Sequence, residues 1–243
     1  MEIFWFSLNV YGLMYALSFL VGFYIIKSRK TISDKNLDDF FIYIFAGVVL
    51  GWRLWYVLFY NFWYYLENLH KIFYVWEWGM SFHWWTIWVI IAMVLFSYFK
   101  KLNFFKISDE LTSVLPIGLF LGRIWNYFNK ELLWYQWYTW LFKVELNGIN
   151  YFPSPLLEAL LEWIILFLIL CYVYRNKKFN GQVASVFLIW YGIFRLFVEL
   201  LFRQPDDHLW YIIGNLSMGS ILTIPMILSW IWFYFYLSQK NAK

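Results

Sequence analysis

The sequence predicts an all-α integral membrane protein with about seven transmembrane helices and a small extracytoplasmic cap. Three observations carry that expectation. The 243 residues are 63% hydrophobic and 27% aromatic, with a mean hydropathy of +0.57, well above the ~45–50% apolar content of an average soluble domain. The apolar residues fall into seven runs, at about 4–26, 38–60, 84–99, 108–125, 155–174, 183–202 and 216–237, most of them close to the ~20 residues a helix needs to cross the hydrocarbon layer. The basic residues collect on alternate loops, as the retention of Lys and Arg on the cytoplasmic face requires.

The first run has its basic cluster after it, at Lys27, Arg29, Lys30 and Lys35, where a cleaved signal peptide would carry it in front; it is expected to be a retained helix. Lys100, Lys101 and Lys106 follow the third run, Arg175, Lys177 and Lys178 the fifth, and Lys240 and Lys243 close the chain. Twelve of the nineteen basic residues therefore lie on one side, which places the N-terminus outside and the C-terminus in the cytoplasm. The longest outer connection, 126–154, is expected to form the cap. No internal repeat is visible, so residues 1–243 are expected to be a single domain. The lone Cys171 excludes a disulfide framework or a thiolate metal site. The formal charge of +4 arises at the ends of apolar runs and points to membrane topology; no nucleic-acid partner is expected.

The seven other basic residues are Arg53, Lys71, Arg123, Lys130, Lys143, Arg195 and Arg203. An ionisable group in hydrocarbon costs at least ~2.5 kcal/mol, so each is a candidate functional residue. Arg123 and Arg195 have apolar neighbours near outer span ends. Two such forks can hold a phosphate, although each could instead snorkel to the headgroup layer, and Arg195 could pair with Glu199. His83, at the entrance of the third run, is a possible proton acceptor or a structural histidine. Asn126, Asn129 and Glu131, with Arg123, make the densest polar cluster in the chain, and such residues also cap helix ends. Tyr11 could donate to a headgroup or belong to an interfacial aromatic belt. With His70 and His208 in outer loops and no further His or Cys cluster, no metal site is expected.

These residues lie in stretches that together resemble bacterial prolipoprotein diacylglyceryl transferases: YGLMY at 11–15, RLWYVLFYN at 53–61, VWEWGMSFHWW at 75–85, GRIWNYFNKEL at 122–132, PSPLLEALLE at 153–162, YGIFRLFVELLFRQPD at 191–206 and LSMGSILTIPMI at 216–227. The resemblance implies a seven-span enzyme of the bacterial cytoplasmic membrane. It would move the diacylglyceryl group of phosphatidylglycerol to the lipobox cysteine of preprolipoproteins, forming a thioether and releasing glycerol phosphate without a cofactor. It also implies roles for matching residues: His83 as base, Arg123 and Arg195 on the phosphate, and Tyr11, Asn126, Asn129, Glu131, Tyr191 and Glu199 in headgroup binding or in positioning the arginines. The expected partners are phosphatidylglycerol, lipobox peptides and the lipid bilayer.

The chain departs from the family pattern where HPSQLYE reads FPSPLLE, at Phe152, Pro155 and Leu157, and where SMGQ reads SMGS, at Ser220. Two alternatives stay open on the residues: a lipid transporter or flippase, and an inactive scaffold of the same fold. The sequence also holds 18 Trp against 12 Gly. Trp52, Trp55, Trp78, Trp84, Trp85, Trp88, Trp125, Trp134, Trp163 and Trp190 stand where the resembled family usually has glycine, with Trp210 and Trp230 as further candidates. An indole in place of a bare hydrogen overfills a packed interior. The expectation is that these codons are UGA, read as glycine by the native lineage, and that indoles distort or plug the site in the chain as written.

Overall fold

A computed structural model describes residues 2–3, 6–7, 10–55, 57, 62–68, 71, 82–131, 133, 136–202, 211–213 and 216–242. Residues 2–3, 6–7, 11, 50–55, 62–63, 66, 82–86, 211–213, 216–219, 222 and 242 are described at the backbone only. The elements are β1 (Glu2–Ile3), β2 (Phe6–Ser7), α1 (Val10–Arg29), α2 (Asp34–Trp55), α3 (Phe62–Glu67), α4 (Phe82–Lys100), α5 (Phe104–Thr112), α6 (Leu115–Phe128), β3 (Val144–Leu146), β4 (Ile149–Tyr151), α7 (Ser154–Ala159), a π-helical segment (Leu160–Ile165), α8 (Leu166–Arg175), α9 (Gln182–Leu201), β5 (Tyr211–Ile213), β6 (Leu216–Ser217) and α10 (Met218–Ala242). The protein is mostly helical, and helix covers the greater part of each of the seven apolar runs. Among the described residues, Ser154–Arg175 and Gln182–Leu201 are long and apolar enough to cross a bilayer, with mean hydropathies of 2.3 and 1.8.

The chain divides into two compact units, one of residues 26–107 and one of residues 1–25 with 108–243. In the first unit α2 packs on α4. Buried Leu37, Phe40 and Ile44 on α2 and Val89, Ala92, Met93 and Phe96 on α4 recur at the three- and four-residue spacing of one helix face. The rings of Phe40 and Phe96 meet at 5.2 Å. Gly47 sets the closeness of approach, since a Cβ there would lie 2.9 Å from the Ala92 Cβ and 3.0 Å from the Trp88 carbonyl oxygen. Lys100 and Asp39 form an ion pair at the end of this packing. The opposite faces carry exposed Ile42, Phe45, Ile90, Val94, Tyr98 and Phe99, far more apolar surface than a water-soluble unit shows.

In the second unit Leu166 and Leu170 of α8 and Val183, Phe187 and Phe194 of α9 form a buried core, with Leu115 and Leu119 of α6 against it. Small residues again permit close packing. Gly118 of α6 lies beside Ser18 of α1, and Gly192 of α9 faces Ile227 of α10, whose Cγ1 would be 2.6 Å from a Cβ. Two runs depart from the expected boundaries. The first helix begins at Val10, because Glu2–Ile3 and Phe6–Ser7 pair as a short antiparallel ribbon. The run 108–125 is two helices, broken at Ser113 and Val114. Pro116 follows the break at the start of α6; it has no N–H to give and its ring would clash with the carbonyl one turn back, at Thr112. The connection 126–154 holds the antiparallel pair β3–β4, in register Val144 to Tyr151 and Leu146 to Ile149.

The break leaves α5 with two fully buried acids that the apolar run conceals, Asp109 and Glu110. Both carboxylates are satisfied. Glu110 accepts the Tyr174 hydroxyl at 2.7 and 2.9 Å. Asp109 accepts the backbone N–H of Gly181 at 2.9 Å and of Ala184 at 3.0 Å, with Lys177 Nζ 3.7 Å away. Gly181 takes the left-handed conformation, φ 92°, as the N-cap of α9, so the free amides of that helix end point at a carboxylate from another helix. Asp109→Ala is expected to lower stability by about 2 kcal/mol, read from denaturation of the purified chain in detergent, with Asp109→Asn retaining part of the loss; an unchanged midpoint in both would remove Asp109 from the account of α9.

Candidate functional site

Among the described residues of the second unit, the densest set of buried and partly buried charges is built from α6, α7, the π segment and α9. Arg123 lies in the C-terminal half of α6. Glu158, one residue before the end of α7, and Glu162, within the π segment, are four residues apart and therefore share a helix face. Tyr191, Arg195 and Glu199 repeat the same four-residue step along α9. Every one of these side chains is held by helix periodicity, with no loop involved.

The Arg123 Nε lies 3.0 Å from Glu162 Oε2 and 2.9 Å from Glu158 Oε2, and its Nη2 donates to Glu162 Oε1 at 3.3 Å. The Arg195 Nε donates to Glu199 Oε2 at 3.0 Å, and its Nη1 is 3.8 Å from Glu158 Oε1. Glu158 is thus a bridge, with one oxygen toward each arginine. Its side chain and that of Glu162 are each 1% exposed, against 14% for Arg123 and 20% for Arg195. Tyr191 stacks on Phe187, rings 5.7 Å apart, and lies within electrostatic reach of both arginines and both buried glutamates. Tyr15 of α1 is also within electrostatic reach of Arg123.

The structure brings together four of the residues expected from sequence: Arg123, Tyr191, Arg195 and Glu199. Arg195 and Glu199 do pair along the helix. Asn126 sits on α6 one turn beyond Arg123, and its carbonyl accepts the Glu131 N–H at 2.9 Å. Asn129 and Glu131 are exposed past the end of α6, where the Asn129 amide donates to Glu131 Oε1 at 3.1 Å. This polar cluster is a helix terminus in its local geometry. Tyr11 is the second residue of α1 and His83 the second of α4, and both side chains lie outside the described residues. His83 belongs to the other unit. Among the described residues, no group of three His, Cys, Asp or Glu could hold a metal ion.

Glu158 and Glu162 were not among the expected site residues. The signal was present, as two acids four residues apart inside the apolar run 155–174. Of the tryptophans at resembled glycine positions, Trp163 lies beside Glu162 and stacks on Phe120, centroids 4.1 Å apart. Trp125 meets Phe128 at 6.4 Å, Trp190 meets Phe194 at 5.5 Å and Trp230 meets Phe233 at 5.3 Å. The ion-pair cluster forms with Trp125 and Trp163 close to its residues in sequence, and Trp163 lies within the π segment. Trp134 and the side chains of Trp84 and Trp85 lie outside the described residues.

Two guanidiniums meeting at one buried carboxylate, in the C-terminal halves of two helices, make a ready site for a phosphate. The family model described as "Prolipoprotein diacylglyceryl transferase" matches residues 1–236. The chain belongs to this family. Among its relatives, a protein of Bordetella parapertussis named phosphatidylglycerol–prolipoprotein diacylglyceryl transferase is 40% identical over 248 residues, covering 98% of this chain and 94% of that protein. Relatives of the same name from Rickettsia typhi and Buchnera aphidicola are 40% and 35% identical, each over 92% of this chain, and are themselves covered over 90% and 89%. The family match thus spans both units and includes every residue of the arginine–glutamate cluster.

Proposed function

We propose that the protein is a transferase that moves the diacylglyceryl group of phosphatidylglycerol to the lipobox cysteine of preprolipoproteins in the bacterial cytoplasmic membrane. The observation that carries this reading is the family membership over nearly the whole chain, joined to a partly buried pair of arginines suited to a phosphodiester. In the reaction the cysteine sulfur attacks the glycerol carbon that bears the phosphate. A C–S bond forms, the C–O bond breaks with its electron pair going to the phosphate oxygen, and glycerol phosphate leaves. No acyl carbonyl reacts.

Charge builds on the phosphate as that bond breaks, and Arg123 and Arg195 stabilise it with fixed donors in surroundings of low dielectric. His83 takes the thiol proton, since a cysteine of ordinary pKa near ~8.5 is a poor nucleophile until ionised. Tyr11, Asn126, Asn129 and Tyr191 bind the headgroup, while Glu199 and Glu131 steady the arginines. Seven spans with the N-terminus outside and a cap at 126–154 place this chemistry on the outer face, which the alternation of Lys and Arg supports. A transporter is the weaker reading, as no internal repeat accompanies the buried charges.

The test is incubation of the chain with phosphatidylglycerol and a lipobox peptide, without metal or nucleotide. The expected product is the peptide with a diacylglyceryl mass on its cysteine, and Arg123→Lys and Arg195→Lys are each expected to reduce its rate more than tenfold, about 1.4 kcal/mol of barrier or more. A folded chain that leaves the peptide unmodified under conditions where a related enzyme succeeds would leave the scaffold reading in place.

We also propose that the tryptophans at resembled glycine positions are glycine in the native protein, through UGA codons read as glycine. The excess of Trp over Gly supports this, as does the use of true glycines at the tightest helix contacts, Gly47 and Gly192. Peptide masses from the native organism are expected to carry glycine at positions 84, 85, 125 and 163, and the all-glycine form is expected to be at least tenfold more active than the chain as written. UGG codons or true tryptophan in those peptides would end the proposal.

A further inference from the structure

We propose that Glu158 and Glu162 are positioning residues for diacylglyceryl transfer, which orient the two arginines and keep the empty site from binding its anionic lipid too tightly. The proposal rests on the transferase reading. It starts from which guanidinium edges are used. The Arg123 Nε donates to Glu162 and lies 2.9 Å from Glu158 as an ion pair, Nη2 also donates to Glu162, and the Arg195 Nε donates to Glu199. Among the described residues no hydrogen bond reaches Nη1 of Arg123 or either Nη of Arg195. Acids hold the Nε of each arginine and Nη1 of Arg195 faces Glu158, so Nη1 of Arg123 and Nη2 of Arg195 are the donors left for a ligand.

An arginine in an apolar helix bundle has a strong alternative, since its long stem lets the head reach the headgroup layer. Paired carboxylates one helical turn apart remove that freedom for Arg123. The oxygens of Glu158, 2.9 Å from one arginine and 3.8 Å from the other, fix the two heads relative to each other. A phosphodiester spanning both then meets donors already in place.

The charge count adds a second effect. Among the described residues, two guanidiniums face three carboxylates, Glu158, Glu162 and Glu199, so these ionised groups carry no positive excess before a ligand arrives. Phosphatidylglycerol enters as a monoanion and its phosphate leaves as a monoester with more charge. Forks whose positive charge is partly neutralised hold the entering lipid weakly, and their fixed remaining donors favour the more highly charged leaving phosphate. Interactions that strengthen only as the bond breaks raise turnover, whereas uniform binding does not. This separates positioning from simple stabilisation of the fold, because loss of a buried carboxylate should make lipid binding no weaker while turnover falls.

The experiment compares the full chain with Glu158→Gln, Glu162→Gln and the shorter Glu158→Asp and Glu162→Asp, measuring thermal unfolding and varying phosphatidylglycerol and peptide separately. The expected result for folded Gln variants is a fall in kcat of at least tenfold with the KM for phosphatidylglycerol unchanged or lower, and the larger fall at Glu158. Unchanged kcat, or a KM for the lipid that rises with kcat intact, would overturn the proposal. Variants that fold as neither Gln nor Asp would overturn it in favour of a structural role. If the unmutated chain forms no thioether, the transferase reading fails, and binding to phosphatidylglycerol vesicles decides the rest. Binding by the Gln variants at least as tight as that of the parent supports the charge argument; weaker binding contradicts it.

Discussion

The arrangement depends on one carboxylate, Glu158, which reaches both Arg123 and Arg195 from a position almost closed to solvent. A charge in such a place is strongly unfavourable alone. Removing one partner of a buried pair costs roughly 3–5 kcal/mol, largely because the other charge is left behind. The cluster therefore persists only if α6, α7, the π segment and α9 deliver their charged residues to the same depth. The acids and arginines that a membrane segment would ordinarily exclude become tolerable by meeting one another.

The helices satisfy this demand by simple periodicity. Tyr191, Arg195 and Glu199 follow one face of α9, as Glu158 and Glu162 follow one face of the α7–π stretch. A widened π turn inside an otherwise α-helical span is uncommon and tends to mark a functional position; here it carries Glu162. At the other end of α9, Asp109 receives the free amides around Gly181, which fixes where that helix starts and hence where its Arg195 lies. Packing of Leu166, Leu170, Val183, Phe187 and Phe194 holds the faces together, while the exposed apolar faces suit lipid better than water.

Much of this was legible in the sequence. The apolar runs located the helices because each span must satisfy its own backbone, and Arg123, Arg195 and Glu199 stood out as charges in apolar surroundings. Helix ends were harder. Val10 starts α1 because a short ribbon precedes it, and Pro116 splits a run whose hydropathy is continuous. Glu158 and Glu162 are harder to read, because in PSPLLEALLE two acids look like the polar beginning of a span. Asp109 and Glu110 were hidden in the same way, with partners 64 to 75 residues away in sequence. Periodicity shows which side chains share a face; it does not show which faces meet. The grouping of Asn126, Asn129 and Glu131 illustrates the converse, since neighbours in sequence there form a helix end with its own local hydrogen bonds.

The central claim is that the remaining donors of Arg123 and Arg195 together hold the phosphate of phosphatidylglycerol. The most direct measurement is solid-state NMR of the chain with 13C-labelled arginine in phosphatidylglycerol bilayers, reading dipolar dephasing of guanidinium carbons by lipid 31P. Two bound guanidiniums should dephase at the separation of a hydrogen-bonded pair, about 4–5 Å, with one signal lost in Arg123→Lys and the other in Arg195→Lys. Tightly bound lipid without such dephasing, or dephasing that survives both substitutions, would place the phosphate elsewhere and contradict the account.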